Sequence, residues 1–229
     1  MFRNREDAGV RLAERLRGLV LPDPLVLGIP RGGVVLGAVL ARELGADLDV
    51  VLARKLRAPD QPELALGALA ESGEVYLEPH VERGASWLQA YLAEEYRRQR
   101  EEIERRQFQY REGRPPARVE GRSVIVTDDG IATGSTMIAA LQGVRTQRAA
   151  QVIAAVPVGP PDRLEEVGRW CDELVCLFSP PDFVAVGIFY EDFTPVGDEE
   201  VIHILRTFRA AEEKGKAPLS NTPQTPGPG

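Results

Sequence analysis

The chain has 229 residues, 43% hydrophobic and 28% charged, which suffices for one sizeable α/β core with a small appended unit. A formal charge of -7 excludes the broad basic face of a general nucleic-acid binder, though not a local cationic pocket. No run of about 18 apolar residues exists, which excludes a transmembrane helix, and residues 1–7 lack the apolar core of a signal peptide, so the cytosol is the expected compartment.

Residues 6–20 carry Val10, Ala13, Leu16, Leu19 and Val20 near helical spacing and predict an amphipathic helix ended by Pro22 and Pro24. The apolar run 25–29 predicts a buried parallel strand, the turn Pro30-Arg-Gly-Gly33 follows, and a helix is expected over 34–44 with Gly45 as its stop. A second strand is expected over 48–53, then a polar, proline-containing loop over 54–64, then strand-like pieces over 65–77. Residues 82–111 are dense in Glu, Arg and Gln with no Gly or Pro after Gly84, so they predict a long helix of about 40 Å. Trp87, Leu88, Tyr91, Leu92 and Tyr96 give its first half an apolar face, whereas 97–106 offers only Ile103. That second half reads as a solvated helix or one arm of a helical pair, with a lid or a dimer contact as the other readings.

Further strands are expected over 123–127, 152–158 and 173–178, and helices from 135 to 141, 162 to 170 and 198 to 208. A segment over about 179–197 reads as a small hood, and the Pro/Gly-rich residues 209–229 read as a disordered tail. Strands alternating with helices predict a parallel sheet flanked by helices, with any ligand at the C-terminal ends of the strands. The turns after Ile29, Ala53 and Thr127 therefore matter most.

After Thr127 the chain reads Asp128-Asp-Gly-Ile-Ala-Thr-Gly-Ser-Thr136, two adjacent carboxylates and then a loop of small and hydroxylated residues opening a helix. Ala132, Thr133, Gly134, Ser135 and Thr136 present backbone N–H groups and hydroxyls at a helix N-terminus, which suits a phosphate. Asp128 and Asp129 can accept hydrogen bonds from a vicinal diol, or hold Mg²⁺ directly or through water. Phosphate cup and diol acceptors together describe a phosphorylated ribose. In Gly28-Ile-Pro-Arg-Gly-Gly33, glycines with a single Arg suit a pyrophosphate group. The dinucleotide glycine fingerprint and the Gly-Lys-Ser/Thr phosphate loop are both absent.

The segment 124–136 resembles the motif by which type I phosphoribosyltransferases bind 5-phosphoribosyl-1-pyrophosphate (PRPP). Further matching stretches are Arg54-Lys-Leu56, Pro62-Glu-Leu-Ala-Leu-Gly67 and Phe189-Tyr-Glu-Asp-Phe193, and they place the chain nearest the uncharacterised bacterial phosphoribosyltransferase-like proteins over residues 1–208. The resemblance implies a parallel-sheet type I fold with a helical insertion at 82–112 and a hood. It implies that Ala132 to Thr136 hold the 5-phosphate. Arg31, Gly32, Arg54 and Lys55 would hold the pyrophosphate, and Asp128, Asp129 and Lys55 would act at the reacting sugar with Mg²⁺. It also implies a mobile loop over 58–63 that closes over the site. Lys55 is one of only three lysines in a chain otherwise written with arginine.

The acceptor is less legible. Hypoxanthine-guanine enzymes place an Asp just before the Thr-Gly of the motif, and here that residue is Ala132, so the resemblance does not extend to purine salvage of that kind. Phe183, Phe189 and Tyr190 are the candidates for stacking a planar nitrogenous acceptor, with core packing as the plainer role. Glu191 and Asp192 would orient an acceptor N–H or cap a turn. His203 reads as a helix-surface residue, and Cys171 and Cys176 as small buried hydrophobes too far from His80 and His203 to hold zinc. Two functions share this pattern. One is transfer of 5-phosphoribosyl from PRPP to an unidentified nitrogenous acceptor with release of pyrophosphate, with a homodimer compatible with it. The other is a PRPP-binding regulator without turnover.

Overall fold

The structure is a computed structural model and describes residues 1–59, 61–78, 81 and 86–216. The expected start of the long helix at 82–85 and the tail beyond 216 lie outside those residues, as does His80.

Helix α1 (Arg5–Leu16) is capped by Asn4, whose side chain accepts the Asp7 N–H at 2.9 Å. Strand β1 (Pro24–Gly28) leads into α2 (Gly32–Leu44), which Gly45 ends in the left-handed region at φ 63°. Strand β2 (Asp47–Val50) follows. Strands β3 (Ala53–Ala58), β4 (Gln61–Ala70) and β5 (Val75–Leu77) precede the long helix α3 (Ser86–Arg111). Then come β6 (Ser123–Thr127), α4 (Ser135–Thr146), β7 (Gln151–Val158), α5 (Pro161–Gly168), β8 (Glu173–Phe178) and α6 (Asp198–Lys216). The last helix, expected to close at Phe208, runs two turns further.

Five strands form a parallel sheet in the order β2-β1-β6-β7-β8. The pleat sends alternate residues to opposite faces. Leu25, Leu27, Val124 and Val126 pack with α4 and α5, while Val26, Ile125 and Ile153 pack with α1, α2 and α6. Both faces are covered, which is why the strands read as continuous apolar runs. From β1 the chain crosses to β2 on one side, whereas β6 and β7 lie on the other. The order reverses between β1 and β6, and the crevice for a ligand opens there, at their C-terminal ends.

The expected loop over 54–64 is instead an antiparallel hairpin. β3 pairs with β4, and β4 with β5, in a separate three-stranded sheet. Ala68, Ala70 and Tyr76 pack on Met137, Ala140 and Val144 of α4. Leu56 and Leu69, on the opposite side, share a cluster with Ile103 of α3. Leu88, Tyr91 and Leu92 of α3 pack against Ala58, Leu66 and Val81. The second half of α3 is not merely solvated: Ile103, Tyr110 and Arg111 are fully buried. Arg111 meets Asp49 at 3.0 Å and Glu71 at 2.9 Å, and donates to the Val50 carbonyl at 2.8 Å, which anchors the end of α3 to the edge of the main sheet.

Candidate functional site

Two turns meet at the strand reversal. The Pro30–Arg31 peptide between β1 and α2 is cis. The glycines that follow are required by close approach. A Cβ on Gly32 would lie 1.9 Å from Asp129 Oδ2, and one on Gly33 would lie 2.6 Å from the Thr127 carbonyl oxygen. The turn after β1 therefore seats directly on the acidic pair after β6, two segments almost a hundred residues apart in sequence.

The acidic pair is held from three directions. Asp129 Oδ2 accepts from Arg5 Nε at 2.8 Å, its carbonyl accepts from the Tyr190 hydroxyl at 2.7 Å, and its N–H donates to Asp128 Oδ1 at 2.8 Å. Arg5 also donates to the Thr194 carbonyl at 2.9 Å and lies 4.0 Å over the Phe193 ring. Burial, and then the neighbouring Asp129 carboxylate, push the Asp128 carboxyl well above the usual carboxylate range. Arg5 was not predicted. Its signal was only an arginine on an otherwise ordinary amphipathic helix, more than a hundred residues from its partner.

A cavity of about 100 Å³ opens beside this pair, lined among others by Lys55, Asp128, Ala132, Thr133, Gly134 and Thr136. Gly134, at φ 83°, starts α4. The first N–H groups of a helix have no partner within it, so those of α4 are oriented for an anion. Thr133 and Thr136 face the cavity, and Ala132 is exposed. The Ser135 hydroxyl is committed elsewhere. It is fully buried and donates to Glu78 Oε1 at 2.8 Å. Glu78, at the end of the hairpin sheet, is itself buried and 3.7 Å from Arg163 of α5. Sequence reading missed this carboxylate beneath the cup.

The hairpin separates Arg54 from Lys55. Lys55 pairs with Ala68 on the face turned to α4 and reaches the cavity, whereas Arg54 pairs with Leu69 on the face turned to α3. Arg54 Nε donates to Gln99 Oε1 at 3.0 Å, and burial followed by the nearby Arg106 charge lowers its guanidinium below its usual value. Adjacent in sequence, the two cations point to opposite faces of the hairpin, Lys55 to the cavity and Arg54 to α3, so the structure does not bring them together at one place. Arg31 is exposed, with NH1 3.6 Å from Asp198 Oδ1.

Of the aromatic candidates, Tyr190 is corrected. Tyr190 is buried with Phe2 at 5.3 Å and Phe193 at 5.0 Å between ring centroids, so its ring is enclosed and its hydroxyl positions Asp129. Phe183 and Phe189 stack on each other at 5.7 Å, and Phe178 meets Phe189 edge-on at 5.6 Å. Besides Tyr190, Val186 of segment 179–197 meets the acidic turn, and a Cβ on Gly130 would lie 2.7 Å from it. Asp192 caps its own turn, accepting the Thr194 N–H at 2.9 Å. His203 is exposed on α6, and Cys171 and Cys176 are free and half-buried.

The model of a known family, the phosphoribosyl transferase domain, matches residues 3–192. The chain belongs to the phosphoribosyl transferase family. Over 216 residues it is 43% identical to a Mycobacterium tuberculosis protein, Rv0571c, which is named provisionally as a phosphoribosyl transferase. The match covers 94% of this chain and 49% of that protein, so the chain spans about half the length of the curated relatives it matches first. An adenine phosphoribosyltransferase of Pseudomonas fluorescens is 31% identical over 141 residues, 59% of this chain and 58% of that one. Among solved structures, TT1426 from Thermus thermophilus is similar with a TM-score of 0.78 and 48% identity, over 90% of this chain and 98% of its own. The type I fold, with its central five-stranded parallel sheet, is thereby established. Among the described residues no helix is long and apolar enough to cross a membrane.

Proposed function

We propose that this domain binds PRPP at the β1–β6 reversal and transfers its 5-phosphoribosyl group to a nitrogenous acceptor, releasing pyrophosphate. The observation that carries the reading is the seating of Gly32 on Asp129. A turn suited to pyrophosphate and a carboxylate pair suited to a ribose diol meet where the Gly32 backbone seats on the Asp129 carboxylate, with a hydroxyl-lined phosphate cavity next to them. Phosphate, diol and pyrophosphate thus find partners in the order in which PRPP carries them.

The roles follow from the chemistry of the groups. Ala132 to Thr136 anchor the 5-phosphate through backbone N–H groups and the Thr133 and Thr136 hydroxyls, which fixes the sugar. Lys55 adds charge to that cavity. Asp128 and Asp129 accept from the ribose hydroxyls and offset the positive charge that grows on the sugar as its bond to pyrophosphate breaks. Arg31 and the Gly32 backbone face the leaving pyrophosphate.

Mg²⁺ fits the donor set, because Asp128 and Asp129 supply hard oxygen atoms. Arg5 already engages one Asp129 oxygen, and among the described residues no cluster of three or more ligating side chains forms. The pair would accordingly share the ion with ligand oxygens and water, and the ion would supply neutralisation of the leaving pyrophosphate.

Ala132 offers no polar side chain to an acceptor base, and the aromatic residues of segment 179–197 are engaged with one another. Both support an acceptor other than a purine held as hypoxanthine-guanine enzymes hold it. The test is to incubate the protein with Mg²⁺, PRPP and a panel of nitrogenous acceptors while following pyrophosphate release. Turnover on any acceptor supports the transferase. Tight binding of PRPP with no turnover on the panel moves the assignment to a PRPP-binding regulator.

A further inference from the structure

Helix α3 reaches the Pro30–Gly33 turn through a chain of polar contacts unused by the roles above. Tyr110 is fully buried, and its hydroxyl donates to Asp198 Oδ1 at 2.6 Å. Arg106 NH1 donates to that same hydroxyl oxygen at 3.2 Å, and Arg106 Nε pairs with Glu102 at 2.6 Å. On the far side, Asp198 Oδ1 stands 3.6 Å from Arg31 NH1. The direction of the relay is fixed: the phenol has one proton, a carboxylate can only accept it, and a guanidinium can only donate. Burial, then the bond to Asp198, push the phenol up to about 12, so it keeps its proton at neutral pH.

The relay joins three elements. Arg106 and Tyr110 lie four residues apart on α3, one turn above the other. Asp198 opens α6, where a carboxylate also suits the helix dipole. Arg31 lies at the cis turn. The Arg31 side chain is 44% exposed, so without Asp198 its long stem would sample many rotamers. The end of α3 is in turn fixed to the sheet by Arg111, which gives the relay a rigid base.

We propose that Tyr110 and Asp198 are positioning residues for the pyrophosphate end of the ligand: Tyr110 fixes Asp198, Asp198 holds the Arg31 guanidinium beside the turn, and the α3 insertion is thereby part of the binding site. The proposal rests on the PRPP reading. Holding Arg31 in place beforehand lowers the ordering cost of binding an anion there. The effect is confined to the pyrophosphate, because the 5-phosphate cavity is lined by other residues.

Tyr110→Phe removes only the hydroxyl and leaves the buried ring in the core. Calorimetric titration of wild type and variant uses three ligands: PRPP with Mg²⁺, pyrophosphate with Mg²⁺, and ribose 5-phosphate. Wild type that fails to bind PRPP sinks the PRPP reading itself. If wild type binds, Tyr110→Phe is expected to weaken PRPP and pyrophosphate by about 3- to 10-fold, the range for one lost hydrogen bond, with ribose 5-phosphate unchanged. Unchanged pyrophosphate affinity overturns the proposal, and so does an equal loss for all three ligands, which marks a general loss of structure. Asp198→Asn serves as the second variant. It keeps an acceptor for the tyrosine but loses the charge on Arg31, and the same selective weakening is expected. Tighter pyrophosphate binding by Asp198→Asn overturns the proposal, since Asp198 would then be a competitor for Arg31.

Discussion

Arg5 Nε lies 2.8 Å from Asp129 Oδ2, so the first helix of the chain supplies the counter-charge for one member of the acidic pair. Both side chains are largely buried, and Arg5 is further fixed by the Thr194 carbonyl and the Phe193 ring. Removing one partner of such a pair leaves a buried charge uncompensated. Arg5→Met is expected to cost roughly 3 kcal/mol of stability, read by urea denaturation. PRPP affinity should fall by roughly tenfold, about 1.4 kcal/mol. A variant with wild-type stability and wild-type PRPP affinity would contradict the positioning role.

Asp128 makes the opposite contribution to stability. Burial and Asp129 raise its folded-state pKa above the unfolded value. Below the unfolded pKa the proton is bound in both states and there is no penalty. As pH rises through the folded pKa, the native state must ionise an unfavourable group and loses stability. Asp128→Asn removes the penalty. Its melting temperature without ligand should exceed that of wild type at pH 8, and the gap should close toward pH 3. A pH-independent gap, or a less stable variant at pH 8, would show that the carboxylate is not held at a cost.

The buried Glu78 beneath the phosphate cup repels an incoming phosphate dianion, and Arg163 at 3.7 Å offsets this only in part. Glu78→Gln keeps an acceptor for Ser135 and deletes the charge. Ribose 5-phosphate and PRPP should bind roughly 3- to 10-fold tighter, as expected for one charge removed at short range under partial screening. Weaker binding would show that the carboxylate orders the cup more than it repels the ligand.

Gly32 tests the contact between the turns. An added Cβ would overlap Asp129 Oδ2 at 1.9 Å, so Gly32→Ala must push the turn or the carboxylate aside. The expected cost is roughly 2 kcal/mol of stability, together with loss of PRPP binding, measured by denaturation and titration. Retained PRPP affinity would separate the two turns functionally.

The parts of the site built from contiguous motifs were legible in the sequence. Strand β6 matches its expected bounds, and the Asp128-Asp129 pair and the Thr133-Gly134 loop lie where a strand-to-helix turn puts them. The chemistry of those turns is local, so spacing suffices. What was hidden depends on pairing at a distance. Strand β3 and the start of β4 read as a loop because 54–64 is polar and contains Pro59 and Pro62, whereas strand-like pieces are expected over 65–77. Arg54 faces α3 and Lys55 the cavity rather than a core, while Arg57 is exposed. Arg111 likewise reads as a surface charge at a helix end, yet it is fully buried because Asp49 and Glu71 come to meet it. Tyr190 was placed in the right neighbourhood but in the wrong role, since sequence does not show that its ring is enclosed by Phe2 and Phe193.

On the proposed reading, PRPP binds at the meeting of the β1 and β6 turns. Titration of the wild-type protein and of the double variant Asp128→Asn with Asp129→Asn, each with PRPP and Mg²⁺, tests it most directly. Saturable one-site binding to wild type and a large loss of affinity in the variant are expected. Wild type that does not bind PRPP, or a double variant that binds it equally well, would contradict it.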